Sequence, residues 1–191
     1  MSLWRPGVIL PAEKLSPGII EDIKAALTPE QTVALTAWGE ARSRFDGKKW
    51  VSNPVDAMTD IVNVIDNRAR AKNIPYKKIC LKRWAFSCWE PHGGPDDPRD
   101  LDDLAENFEH MMDRAQRLMS GPSYAPADAL LDCLALANGM HAMVDTLSAA
   151  THYYAPFSMV PRDRVPAWAA PPAVLVAERH GQRVAPVRRP V

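Results

Sequence analysis

Thr28-Pro29-Glu30-Gln31-Thr32-Val33-Ala34-Leu35-Thr36-Ala37-Trp38-Gly39-Glu40-Ala41-Arg42-Ser43-Arg44 is the stretch on which the fold is decided. Thr28 can cap a helix, Pro29 suits the first helical position, and Gln31 completes a capping box. Val33, Ala34, Ala37, Trp38 and Ala41 then recur on one side, so a helix is expected to about Arg44. Polar residues 46–49 end it. Glu40 follows Ala37 by three residues and Val33 by seven, which sets a carboxylate on the edge of an apolar stripe. Gly39 weakens a helix by about 1 kcal/mol relative to Ala, and its missing side chain suggests close approach of a bulky ligand.

Downstream, the same periodicity predicts a helix from Asn53-Pro54 to about Lys72, with Met58, Ile61, Val62 and Ile65 on its inner side. Asn73 tolerates the left-handed conformation and is a fair terminator, with Pro75 beyond it. Residues 76–98 read as an irregular loop rich in Trp, Pro and Gly, a kind of segment that often carries function. A third helix is expected from about Arg99 to Ser120. Its Met111, Met112 and Met119 read as core packing rather than a cofactor box. A fourth runs from about Pro126 to Met143, with Leu130, Leu134, Ala137 and His141 on one side. Residues 151–181 alternate aromatic residues with prolines and suggest one or two short strands or turns. The expected fold class is mainly α (α+β), a helical domain with a small irregular or β-rich lobe.

Residues 1–27 read as an N-terminal extension, 28–181 as the domain proper, and the Pro/Arg-rich residues 182–191 as a loose tail. The chain has 191 residues, enough for one sizeable core. Lys+Arg and Asp+Glu balance at 23 each, which offers no overall field for nucleic acid or an anionic membrane. No stretch approaches the roughly 20 apolar residues of a membrane span. The apolar run Gly7-Val8-Ile9-Leu10 is too short for a secretory signal. The expectation is a protein made in the cytoplasm and not exported by the usual route. Cys80, Cys88 and Cys133 are too few and odd in number for a disulfide framework and read as half-buried thiols.

On spacing alone, Glu40 has two readings. It pairs with Arg44 at i+4, worth roughly 0.2–0.5 kcal/mol, or it is a desolvated carboxylate suited to donate a proton to a glycosidic oxygen. Ala37-Trp38-Gly39-Glu40-Ala41-Arg42, Phe86-Ser87-Cys88-Trp89, Ala150-Thr151-His152-Tyr153-Tyr154-Ala155-Pro156 and Pro166-Ala167-Trp168, taken in order, resemble the SleB-type cell wall hydrolase family. That family comprises the catalytic domain of spore cortex-lytic enzymes and of several phage endolysins. The resemblance covers about residues 28–181. It implies a lysozyme-like fold and cleavage between N-acetylmuramic acid and N-acetylglucosamine, usually as a lytic transglycosylase.

On that resemblance the catalytic glutamate is Glu40. Phe86, Ser87, Trp89, Thr151, His152, Tyr153 and Tyr154 fall beside the substrate groove, and His180 falls near a late family histidine. Phe86, Trp89 and Tyr154 offer flat faces for sugar rings, with core packing as the alternative for Phe86 and Trp89. Ser87 is either a groove hydroxyl or a loop hydrogen bond. Thr151 and Tyr153 are candidates for holding acetamido groups. The sequence departs from the family at Ala150, where Gly is usual, in the longer stretch 96–127, and at Gly181-Gln182-Arg183.

No metal or other cofactor is expected: Cys88, His92, His152 and His180 lack zinc-site spacing, and no His-Glu-x-x-His occurs. A Cys88–His152 thiol dyad is a minor alternative. Asp46 and Glu90 are the candidate second carboxylates that a hydrolase would require. The implied partners are peptidoglycan glycan strands, reached after holin release or from a virion with phage structural proteins. A wall-binding or structural virion component without turnover is the competing class.

Overall fold

Helix α2 (Pro29–Glu40) is buried from Thr32 to Gly39, and α3 (Val55–Lys72), α4 (Tyr76–Cys80), α5 (Leu101–Met119) and α6 (Leu130–Gly139) pack around it. The computed structural model describes residues 4–41, 43–45, 50–52, 55–83, 85–90, 101–121, 129–140, 151–154, 177–179 and 182–185. The architecture is mainly helical.

The start of α2 is set locally. Thr28 Oγ1 accepts from Gln31 N at 3.1 Å, and Gln31 Oε1 accepts from Thr28 N at 2.9 Å, which is the expected capping box. A helix buried on all sides must also satisfy its internal hydroxyls. Thr32 and Thr36 donate theirs to the carbonyls of Thr28 and Thr32, at 2.8 and 2.7 Å. The helix ends at Glu40, four residues before the expected Arg44. Ala41 closes it, and Ser43–Phe45 (β1) pairs antiparallel with Trp50–Ser52 (β2). Arg44 therefore lies in a strand, beyond the end of the helix on which the i,i+4 spacing of Glu40 and Arg44 was read.

Helix α3 (Val55–Lys72) buries Met58, Ile61, Val62 and Ile65, as their spacing predicts. It stops where the sequence indicated. Asn73 has φ +51°, its N–H bonds Arg70 O at 3.3 Å, and Ile74 N bonds Ala69 O at 3.1 Å, the paired bonds of a Schellman motif. Residues 76–90, expected to be irregular, contain the short helix α4 (Tyr76–Cys80) and a single 3-10 turn, Ser87–Trp89. Helix α5 (Leu101–Met119) buries Phe108, Met111, Met112 and Ala115, and helix α6 (Leu130–Gly139) buries Leu130, Cys133 and Ala137.

The segment read as an extension belongs to the same core. Helix α1 (Pro17–Ala26) is capped by Ser16 and buries Ile23, while Trp4 and Leu27 join the central cluster. Lys77 Nζ donates to Ala25 O and Leu27 O at 2.7 and 2.8 Å, satisfying carbonyls at the end of α1. Buried Gln116 exchanges two hydrogen bonds with the backbone of Leu10, at 2.7 and 3.1 Å. Each apolar side chain sunk in this way contributes roughly 1.5–3 kcal/mol, which helical spacing across a proline-broken segment did not reveal.

Three further strands, His152–Tyr154 (β3), Ala177–Arg179 (β4) and Gln182–Ala185 (β5), pair antiparallel in the order β3-β5-β4. Tyr153 stands opposite Val184. The first four residues of the expected tail thus form the middle strand of this sheet. Among the described residues, no helix is long and apolar enough to cross a membrane.

Candidate active site

Glu40 is the last residue of α2, half-buried, with its side chain directed at the Ser87–Trp89 turn. Its Oε1 accepts from Ser87 Oγ at 3.1 Å and from Cys88 N at 2.9 Å. The 86–89 loop and the helical glutamate, brought together by the resemblance, are therefore joined by two hydrogen bonds. The Ser87 hydroxyl does serve as a hydrogen-bond donor, and the group it holds is the candidate catalytic carboxylate.

That turn is pinned against α2 one helical turn before Glu40. Trp89 Nε1 donates to Thr36 Oγ1 at 2.8 Å, and the Cys88 thiol approaches Thr36 O at 3.9 Å. Phe86 and Trp89 are each only 2% exposed and belong to the central cluster. As placed, neither presents a ring face to a sugar, so the stacking role expected of them is corrected to core packing. Burying two large aromatic side chains outweighs leaving them in a groove.

Gly39 has a different role from the one its sequence position suggested. A Cβ there would stand 2.5 Å from Met111 Sδ and 2.7 Å from Cys88 Cβ. The space beside this backbone is filled by α5 and the 87–89 turn, not left open for a ligand. The glycine lets Cys88 come close enough for its N–H to reach Glu40.

The Thr-His-Tyr-Tyr string begins at half-buried Thr151 and continues along β3. Thr151 Oγ1 lies 3.0 Å from His152 Nδ1. Burial, helped by the positive charges of Arg68 and Lys72, holds the His152 imidazole below its usual pKa. The backbones of Tyr153 and Tyr154 are in β3, and their side chains lie outside the described residues, as do Asp46 and His180. Glu90 is half-buried and follows the turn directly.

Arg68 is the residue of this candidate site that reading by motif overlooked. Its Nε donates to Thr151 O at 2.6 Å, its Nη1 to Ala85 O at 3.5 Å, and its guanidinium lies 4.9 Å from the centre of the Phe86 ring. One side chain thus ties the start of β3 to the loop that carries Ser87 and Cys88. The signal was present in the sequence: Arg68 continues the inner stripe of Ile61 and Ile65 by seven and three residues, where a cation needs a reason.

Cys88 is buried, and burial first, then the charge of Glu40, push its thiol well above the ordinary range. A thiol kept protonated in this way is a poor nucleophile, which argues against a Cys88–His152 dyad. Cys80 and Cys133 are also buried, and neither is in a disulfide. Among the described residues, no three His, Cys, Asp or Glu side chains are grouped to hold a metal ion. No protein family, curated protein or solved structure matches the chain.

Proposed function

We propose that this chain cleaves the glycan strands of peptidoglycan, with Glu40 as the catalytic acid and base. The observation that carries the reading is the two-point anchoring of Glu40 Oε1 by Ser87 Oγ and Cys88 N at the end of a buried helix. A carboxyl group fixed by neighbours at a helix end is suited to repeated proton transfer, because orientation is set before the ligand arrives. The resemblance to SleB-type hydrolases supplies the substrate class and the expectation of a lysozyme-like helical domain with a small irregular or β lobe.

In this mechanism Glu40 first donates its proton to the oxygen leaving C1 of the muramic sugar. The C1–O bond breaks, and the 2-acetamido group of that sugar stabilises the positive charge. The Glu40 carboxylate then removes the proton of the 6-hydroxyl of the same sugar, whose oxygen bonds to C1. The products are a 1,6-anhydro-muramyl end and a free N-acetylglucosamine 4-hydroxyl, and Glu40 regains its proton. No second carboxylate is needed. Ser87 Oγ and the Cys88 N–H hold the carboxyl in register through both transfers.

The deciding experiment is digestion of purified peptidoglycan by wild type and by Glu40→Gln, with the soluble fragments identified by mass spectrometry. Anhydro-muramyl ends from wild type alone are the expected result. Reducing muramyl ends would retain a glycosidase but require a second carboxylate, with Asp46 and Glu90 tested next. Peptide fragments would overturn the bond assignment. Wall binding without fragments would favour a structural component, and release with a holin or carriage in a virion is the proposed setting for an active enzyme.

A further inference from the structure

Residues 68–83 carry seven basic side chains and no acidic one, in a chain whose charges otherwise balance. Three of the seven have structural work: Arg68 ties β3 to the 85–88 loop, Arg70 pairs with Asp66, and Lys77 closes α1. Lys72, Lys78, Lys82 and Arg83 are exposed, and so is Arg70. Among the described residues, Lys72, Lys78 and Lys82 have neither a carboxylate partner nor a hydrogen bond from the ammonium group. Like charges gathered without counter-charges repel, and such a cluster lowers the stability of the free protein unless a ligand offsets it.

Two members of the cluster adjoin the candidate site, Lys82 along the chain and Lys72 beside the start of β3, and Lys78 lies on α4 between them in sequence. Lys82 precedes Ser87 by five residues, a reach of at most about 18 Å, and Ser87 holds Glu40. Lys72 lies close enough to His152, at the start of β3, for its charge to act on the imidazole. Three of the exposed cations are lysines, flexible point charges with rotatable donors, which suit a mobile, multiply charged ligand better than a planar one that calls for a bidentate fork.

Resting on the glycan-cleavage reading, we propose that Lys72, Lys78 and Lys82 form a cationic rim that holds the carboxylates of the peptide stems borne by the muramic sugars while the glycan lies at Glu40. The sugars themselves offer the rim little charge, whereas each stem carries several carboxylates on a flexible chain. A preference for stem-bearing over bare glycan follows.

The test uses the non-cutting Glu40→Gln protein, so that the ligand survives, and measures binding by co-sedimentation at several salt concentrations. The ligands are intact peptidoglycan and the same glycan stripped of stems by an amidase, with the lactyl carboxylates that hydrolysis frees capped as methylamides so that the sugars carry no charge. Stripping is expected to weaken binding about tenfold, the combined worth of three exposed ion pairs. Adding Lys72→Gln, Lys78→Gln and Lys82→Gln is expected to weaken binding to intact wall by a similar factor and to leave binding to stripped glycan unchanged. Matching thermal melts establish that the triple variant is folded.

Equal binding to intact and stripped glycan, or no effect of the triple substitution, would overturn the proposal. So would lysine-dependent binding to duplex DNA or anionic phospholipid vesicles that exceeds binding to intact wall. Failure of the catalytic reading is separately visible: wild type would then release no fragments from either glycan, whatever the lysines do in the binding assay.

Discussion

Cys88 donates its backbone N–H to Glu40 Oε1 at 2.9 Å, across 48 positions of sequence. Cys88 therefore acts on the candidate catalytic group through its backbone, while its thiol is buried against α2 near Thr36 O. Substitutions that shift the 87–89 turn should be felt at Glu40 even where they touch no ligand.

Ser87→Ala removes the hydroxyl donor to Glu40 Oε1 and leaves the Cys88 N–H in place. Folding stability should fall by about 0.5–1.5 kcal/mol, the usual worth of such a bond, measured by urea unfolding. Release of soluble wall fragments should fall about tenfold as the carboxyl loses its second anchor. Ser87→Thr, which keeps the hydroxyl, should retain most of the activity. Equal loss in both variants would show that the hydroxyl is not what matters.

Gly39→Ala sets helix propensity against packing. The substitution gains about 1 kcal/mol of propensity, but its Cβ meets Met111 Sδ and Cys88 Cβ well inside contact distance. Met111 has a flexible end that can yield; Cys88 Cβ is fixed to the backbone that holds Glu40. Overpacking of this kind costs about 1–3 kcal/mol, so a net loss of stability together with lower fragment release is expected. A more stable and fully active Gly39→Ala protein would refute this account of the glycine.

Alkaline pH should destabilise the protein. Burial pushes the Cys80 thiol from its ordinary 9.0 up to about 12. Burial, and a 2.7 Å hydrogen bond to Asp66, raise the Tyr76 hydroxyl from 10.0 to about 12. The folded state then keeps protons that the unfolded chain releases. Stability is therefore complete below about pH 9 and falls progressively towards pH 12. The urea midpoint should drop across that window and rise again on return to neutral pH. Cys80→Ala and Tyr76→Phe should each flatten the fall; a slope unchanged in both would place its origin elsewhere.

Arg68→Gln should loosen the link between β3 and the 85–88 loop. Hydrogen bonds from a charged donor are worth about 1.5–3 kcal/mol, so a stability loss in that range is expected. Removing the cation should also raise the His152 pKa towards its ordinary value, although burial, the larger cause, continues to depress it. Titration of the imidazole by NMR reads this directly. Arg68→Lys should rescue the charge effect on His152 but not the paired donation to Thr151 and Ala85, because an ammonium lacks the planar fork.

What the sequence determined by itself is the set of local decisions. The capping box at Thr28 and Gln31, the left-handed Asn73 at the end of α3, and the inner faces of α3 and α5 depend on partners three to seven residues away, and periodicity reads such partners directly. Glu40 stood out as a candidate only through a motif. The tertiary structure decided which distant groups meet. It ended α2 at Glu40, drew Trp4, Ile23 and Leu27 into the core, turned Phe86 and Trp89 inward, and filled the space beside Gly39 with Met111 and Cys88. It also made Arg68 the tie between Thr151 and Ala85, 83 and 17 positions away. These outcomes follow from dense packing, in which a side chain's place depends on every element competing for the same volume, a competition that no local window of sequence contains.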